Sequence, residues 1–377
     1  AGAGGFAAGG FGGGPDGPGG AGGSGGCATG AVNGLACAPD GTPIGGARVH
    51  ADTTDCAGNR VTREAFATAD GHFRLDGLAP GPATVFVTAG RFQGRYDVVV
   101  LADRSVPVDE RSDKECLPSN SAQVAAVTGE YDSIERIVGG LGFEFTAYCG
   151  DTFGNYGARG LLGHWESLSR YDVLLINCGF TVDLEASAEG QQMVSNLRRF
   201  VAEGGAVYIS DLAANVIEAA WPDKIQFDSE YFGTGAGIDP CCTCVDCPAR
   251  CGAQAEAPRP GAQCRGGLNA GELICGHEPP VEGFGDPGRR RAQIIDPALR
   301  QFLGRDALDV NFDQGGWMGI LGVGAGVDVL VADGREPLMV MFTDGASGGR
   351  VAYTTFHNEA QATADVQQIL TALLFQL

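Results

Sequence analysis

Lysine is almost missing from this chain: Lys114 and Lys224 are the only two among 377 residues. Arginine supplies the rest of the 25 basic residues, against 46 acidic ones, for a formal net charge of -21. Such a balance repels nucleic-acid backbones and anionic lipid surfaces, so neither is expected as a main partner. Long apolar runs are missing too, and no stretch reaches the roughly 18 residues that a membrane-spanning helix needs. The glycine-rich segment 315–326 lacks a Gly-Lys-Ser/Thr ending, so it reads as closely packed backbone leading into a strand rather than as a phosphate cradle. No second C-x-x-C follows Cys244-x-x-Cys247. Cys244 and Cys247 have half of a zinc-ribbon spacing, with Cys264, Cys275 or His277 to complete it. We assign no metal and no cofactor. His50 and His72 fall in strand-like runs and read as ordinary strand-surface residues.

What the chain does have is 62 glycines, 13 cysteines and 44% hydrophobic residues. That apolar fraction excludes wholesale disorder, and the length suggests about two domains. Residues 1–27 form a glycine-rich arm; its first 26 residues hold 15 of the 62 glycines. With so little apolar surface to offset chain entropy, the arm is expected to be a flexible tether. Phe6 and Phe11 offer a second role, as anchors in the groove of a neighbouring protomer. Thirteen cysteines point to an oxidising compartment, and the odd count leaves at least one thiol free or paired between chains. The chain begins at Ala1 rather than Met, which suggests processing. Together these features suggest a bacterial protein that is extracellular or anchored at the cell surface.

From 28 to 110 the texture is that of a small all-β sandwich. Short β-rich runs at 47–51, 61–68, 72–75, 83–89 and 96–101 alternate with turns such as Pro39-Asp40-Gly41 and Ala69-Asp70-Gly71. Val85 and Val87 alternate with Thr84, Phe86 and Thr88, all β-formers, so this strand should be central or covered on both faces. The run from Gly41-Thr42-Pro43-Ile44 through Asp70-Gly71-His72-Phe73 to Leu78-Ala79-Pro80-Gly81 resembles the carboxypeptidase regulatory-like family. That resemblance implies a transthyretin-like sandwich with an accessory role and no catalytic residues. Cys37 and Cys56 flank the second strand run, and Cys27 and Cys116 bracket the whole sandwich. Pairings 37–56 and 27–116 are therefore expected, although connectivity does not follow from spacing.

Residues 111–121 read as a linker, and 122–377 as an α/β flavodoxin-like doubly wound domain. Apolar strands at 123–128, 143–148, 172–176 and 206–209 alternate with helices at 133–141 and 194–202. Further strands follow at 327–331, 338–342 and 350–354, and a helix at 364–377 closes the chain. This alternation implies a parallel sheet covered on both faces. Ligands in such sheets bind beyond the carboxyl ends of the strands, here at 128–132, 177–180, 210–215 and 356–359, four clusters that could converge on one crevice.

Three segments in this domain are Tyr171-Asp172 through Cys178-Gly179, Leu197 through Gly204-Gly205, and Gly349 through Phe356-His357. They resemble the class I glutamine amidotransferase-like superfold, nearest its trehalose-utilisation-type branch. That family places a nucleophilic Cys on a Gly-x-Cys-x-Gly turn. The corresponding turn here is Ile209-Ser210-Asp211-Leu212-Ala213, so Asp211 stands where the thiol would be and both glycines are missing. The family's Phe-His-Pro-Glu corresponds to Phe356-His357-Asn358-Glu359. A carboxylate cannot perform the thiolate chemistry of glutamine hydrolysis, which argues against glutaminase activity. Cys178, one strand earlier, is a substitute nucleophile or else a buried or disulfide-bonded cysteine. Asp211, His357 and Glu359 form an acid/base group or the remnant of one.

A Cys-rich insertion at about 228–326 interrupts the pattern and holds seven cysteines, best read as disulfide staples, with one pairing outside it. Arg289-Arg290-Arg291 reads as a solvated patch, or as a contact for the acidic face of another copy. Two functions are weighed. One is a non-enzymatic protein that binds a protein partner or assembles with itself, for instance as a filament or surface-layer subunit. The other is an extracellular hydrolase acting on carbohydrate or a related polar substrate through the crevice. Enzyme activity stays open, with the non-enzymatic role favoured.

Overall fold

The computed structural model describes residues 27–108, 115–129, 132–150, 157–180, 184, 187–227, 288–312, 317–334, 336–356, 358 and 363–377. The glycine-rich arm to residue 26, most of the Cys-rich stretch (228–287), His357 and Glu359 lie outside the described residues.

The N-terminal strands are β1 (Gly30–Cys37), β2 (Arg48–Thr54), β3 (Arg60–Phe66), β4 (His72–Leu78), β5 (Gly81–Ala89), β6 (Phe92–Val100), β7 (Ser105–Pro107) and β8 (Glu115–Cys116). They form two sheets, β4-β1-β7 with β8 beside β1, and β3-β2-β5-β6. Strands β4 and β6 alternate buried and exposed positions, so one face of each sheet packs inward. Strand β5 is central, between β2 and β6. Val85 and Val87 point into the core, while Phe86 on the other face stacks on His50 with ring centroids 5.2 Å apart. Gly71 turns the chain into β4 at φ +81°, and a Cβ there would lie 2.5 Å from the Ala36 carbonyl oxygen, so the turn needs glycine on both counts.

The disulfides differ from the expected pairing. Cys27 bonds to Cys56, and Cys37 to Cys116. The reason is sheet pairing: β8 runs parallel to the end of β1 and sets Cys116 directly opposite Cys37. The same pairing ties Glu115–Cys116, in the stretch expected to be a linker, to the sandwich, and Leu117 is buried in its core.

The C-terminal elements begin with β9 (Val124–Thr128), α1 (Ile134–Gly140), β10 (Thr146–Cys149), α2 (Ala158–Gly163), α3 (Trp165–Leu168), β11 (Val173–Ile176), α4 (Ala188–Ala202) and β12 (Ala206–Ser210). A 3₁₀ turn (Asp211–Ala214) then leads into α5 (Asn215–Ala220) and β13 (Ile225–Phe227). There follow β14 (Gly288–Ile294), α6 (Pro297–Leu303), β15 (Ala307–Phe312), β16 (Ile320–Val323), β17 (Val327–Asp333), β18 (Glu336–Asp344), β19 (Gly349–Thr354) and α7 (Ala364–Leu374).

One mixed sheet runs β10-β9-β11-β12-β19-β18-β17-β14-β15. Its first five strands are mutually parallel and, counted in chain order, follow the flavodoxin-like order 2-1-3-4-5. Every residue of β9, β11 and β12 is buried, as expected of parallel strands with helices on both faces. The remaining strands are antiparallel, contrary to the all-parallel expectation. The chain returns from β17 to β18, and from β18 to β19, within a few residues. A parallel crossover needs roughly a dozen residues, so these returns are hairpins.

The sheet also takes in residues expected to belong to the insertion. β14 and β15 extend it, and β16 pairs with β13 as a separate ribbon. The Arg289-Arg290-Arg291 run is therefore a strand. Arg290 bonds to Glu336 at 2.7 Å and lies 5.0 Å from the Trp317 ring, so it crosses a hydrophobic surface with its charge paired. Helix α6 has full end signals: Asp296 accepts from the Leu299 N–H, Pro297 opens the helix, and Gly304 closes it in the left-handed region.

The sandwich and the α/β sheet share a core. Phe92 of β6 packs on Phe143 and Phe375, at 4.3 and 5.9 Å between ring centroids. Nearby, the Asp40 N–H donates to the Leu141 carbonyl at 3.0 Å.

Candidate functional site

The carboxyl ends of β9, β11, β12 and β19 each deliver one of the clusters expected to converge, and residues from all four meet. Asp132 is fully buried beyond β9. Its carboxylate accepts from the Ser133 N–H (2.7 Å), the Asn358 N–H (2.8 Å) and the Ser210 hydroxyl (2.6 Å). The Ser210 oxygen in turn accepts from the Cys178 N–H at 2.9 Å. Asn177, also fully buried, donates to Glu135 at 2.7 Å and accepts from the Ile134 N–H. Strands β9 and β11 approach so closely past their ends that a Cβ on Gly129 would fall 1.9 Å from the Cys178 carbonyl oxygen.

Asp211 opens the 3₁₀ segment directly after β12 with φ +45°, a left-handed conformation that a non-glycine residue rarely adopts. Its side chain is buried. One carboxylate oxygen accepts the Met318 N–H at 2.6 Å, and the other accepts the Cys178 thiol at 3.4 Å. Tyr353 on β19 donates to the Asp211 carbonyl at 3.0 Å and also reaches the Met318 carbonyl at 3.2 Å. A segment far along the chain, Trp317 and Met318, is thereby fastened over the turn, and both residues are buried.

Cys178 is a free, fully buried thiol. Burial pushes its pKa well up, and the neighbouring Asp211 carboxylate pushes it further the same way. It is thus a protonated donor rather than a thiolate. Cys149 is disulfide-bonded, and no other described cysteine is its partner. Tyr208 and Tyr353, both buried, are likewise held protonated, first by desolvation and then by nearby carboxylates.

Of the four site residues expected from sequence, Cys178 and Asp211 are in contact, while His357 and Glu359 lie outside the described residues. Asp132, Tyr353 and Met318 belong to the same network but were not singled out as site residues. Asp132 fell in one of the flagged strand-end clusters. Met318 carries no chemical signal, because it acts through its backbone. Among the described residues no cluster of three or more His, Cys, Asp or Glu is arranged to hold a metal.

Residues 31–111 match the carboxypeptidase regulatory-like domain, a domain type of surface and extracellular proteins. No curated protein matches the chain. Among solved structures, the chain is similar to a GMP synthase component from Thermoplasma acidophilum. The identity is 10% and the TM-score 0.37, over 67% of this chain and 93% of that one. It is also similar to a ThuA-like protein from Bacteroides uniformis, at 10% identity and TM-score 0.35 over 67% and 89% of the two chains. A glutamine amidotransferase from Thermotoga maritima aligns at 9% identity and TM-score 0.32, over 62% and 75%.

Proposed function

We propose that this is a non-enzymatic extracellular protein, anchored at or secreted from a bacterial cell, that works by binding a protein partner or further copies of itself. In this reading the sandwich is an accessory spacer, the α/β domain a rigid body with a filled crevice, and the arm and Cys-rich stretch the contact surfaces. One observation carries it. Where the amidotransferase resemblance calls for a reactive thiolate, Asp211 is buried with both carboxylate oxygens engaged by internal donors. A carboxylate buried and engaged in this way is not presented to a substrate, and the neighbouring thiol is protonated. The disulfides suit an oxidising compartment. Among the described residues no helix is long and apolar enough to cross a membrane.

The experiment compares the full chain with a chain lacking residues 1–26, by light scattering and electron microscopy of the purified protein. Assembly that depends on the arm supports a filament or surface-layer role. Equal assembly of both chains reduces the arm to a tether.

A hydrolase acting on carbohydrate has one observation in its favour, the φ of +45° at Asp211. Strained strand-to-helix turns recur where a side chain is presented for chemistry. An activity screen with polysaccharides and glutamine, repeated on Asp211→Asn, tests it. Turnover that vanishes in the variant would favour the hydrolase over the binding role.

A further inference from the structure

A second concavity lies away from the crevice, between the sandwich and the end of the C-terminal helix, with a volume of about 410 Å3. Its walls come from the loop before β2, the β5–β6 turn, α6, the β18–β19 turn and the chain after α7. Arg48, Arg91 and Arg350 line it, no Asp or Glu side chain does, and the main-chain carboxyl of Leu377 is an acidic group on the same wall, beside Gly90. In a chain with 46 acidic and 25 basic residues, that is a local reversal of sign.

The three arginines are not equally occupied. Arg48 is paired with Glu64 at 2.5 Å. Arg350 gives one guanidinium nitrogen to the Gln376 carbonyl and keeps its other donors. Arg91 is half-buried and makes no hydrogen bond or ion pair among the described residues. Asp172, which does not line the cleft, attracts it only through space, and Arg350 repels it. Two guanidinium groups held near each other and partly stripped of water are unfavourable unless an anion lies between them. At Gly46 and Gly348 in its walls a Cβ would meet nothing within 4 Å.

We propose that this cleft binds a small oxyanion, a carboxylate or phosphate group, held between Arg91 and Arg350. Guanidinium forks match the paired oxygens of either group, and the cleft has the size of a small-molecule site. Arg91 stands on the β5–β6 turn and Arg350 on β19. The bound anion would therefore bridge the sandwich to the α/β sheet and stabilise their packing.

The test is calorimetric titration and thermal unfolding of the full chain at constant ionic strength, with inorganic phosphate, glucuronate and, as a neutral control, glucose. Saturable binding of phosphate or of glucuronate, with a raised Tm and no response to glucose, is expected, and the anion that binds more tightly identifies the source. Arg91→Gln should weaken binding by about tenfold or more. Arg91→Lys, which keeps the charge and loses the fork, should fall between, and circular dichroism checks that both variants fold. No saturable binding of either anion up to about 10 mM, or undiminished affinity in both folded variants, overturns the proposal.

Discussion

The Asp211 carboxylate accepts the Met318 backbone N–H at 2.6 Å, joining the turn after β12 to a segment 107 residues later in the chain. Asp211 also holds the Cys178 thiol at 3.4 Å. One side chain thus fastens a strand end, a neighbouring loop and a covering segment. Asp211→Ala would leave the Met318 N–H and the thiol without an acceptor and should cost about 2–4 kcal/mol of stability. Asp211→Asn keeps an acceptor and tolerates the left-handed backbone, so it should cost clearly less. Urea unfolding of both variants checks the order. An alanine variant as stable as the parent would mean that the strained turn is maintained for chemistry rather than for packing.

Cys178 should resist alkylation in the folded protein. It is fully buried, and burial together with the Asp211 charge keeps it protonated far above neutral pH. Iodoacetamide at pH 8 should leave it unmodified until denaturant is added, as mass spectrometry of the peptide would show. Rapid labelling under native conditions would mean that the crevice is open to solvent.

Peptide mapping without reduction should find Cys27 joined to Cys56 and Cys37 joined to Cys116. The second bridge spans 79 residues, so removing it with Cys37→Ser and Cys116→Ser should cost about 4 kcal/mol, more than removing the shorter one. Fragments linking 37 to 56 would contradict the observed β1–β8 register.

Asp365 gives a pH signature. Burial alone would raise its pKa, but the Asp309 N–H at 2.8 Å and the Arg305 guanidinium at 2.6 Å outweigh burial and leave it lowered. A carboxylate with a depressed folded pKa adds stability that is full above its unfolded value, near 4, and is lost as pH falls through the folded value. Asp365→Asn should therefore lose about 1 kcal/mol at pH 7, a figure reduced for partial exposure. It should converge on the parent below the folded pKa. Unfolding midpoints across pH 2–7 check this, and a difference that stays constant with pH would remove Asp365 from the account.

Phe92→Ala tests the shared core. Phe92 is buried between Phe143 and Phe375. Its loss should cost about 3–5 kcal/mol and split one unfolding transition into two in calorimetry. A single undiminished transition would show that the two units do not depend on this contact.

Local pattern made much of this protein legible. Turn residues and β-formers placed the sandwich strands, and the apolar runs at β9, β11 and β12 marked the covered sheet, because alternation and burial are written in neighbouring residues. The gathering of four strand ends followed from the βα order, and Asp211 at the turn from the resemblance to the amidotransferase-like superfold. Pairings between distant segments were decided only in three dimensions. Cys116 joins Cys37 because β8 lies beside β1. The arginine run becomes a strand because β15 and β17 flank it. Met318 covers Asp211 through a backbone N–H. Register, hairpin direction and main-chain contacts depend on where remote segments pack, and residue type carries no record of that.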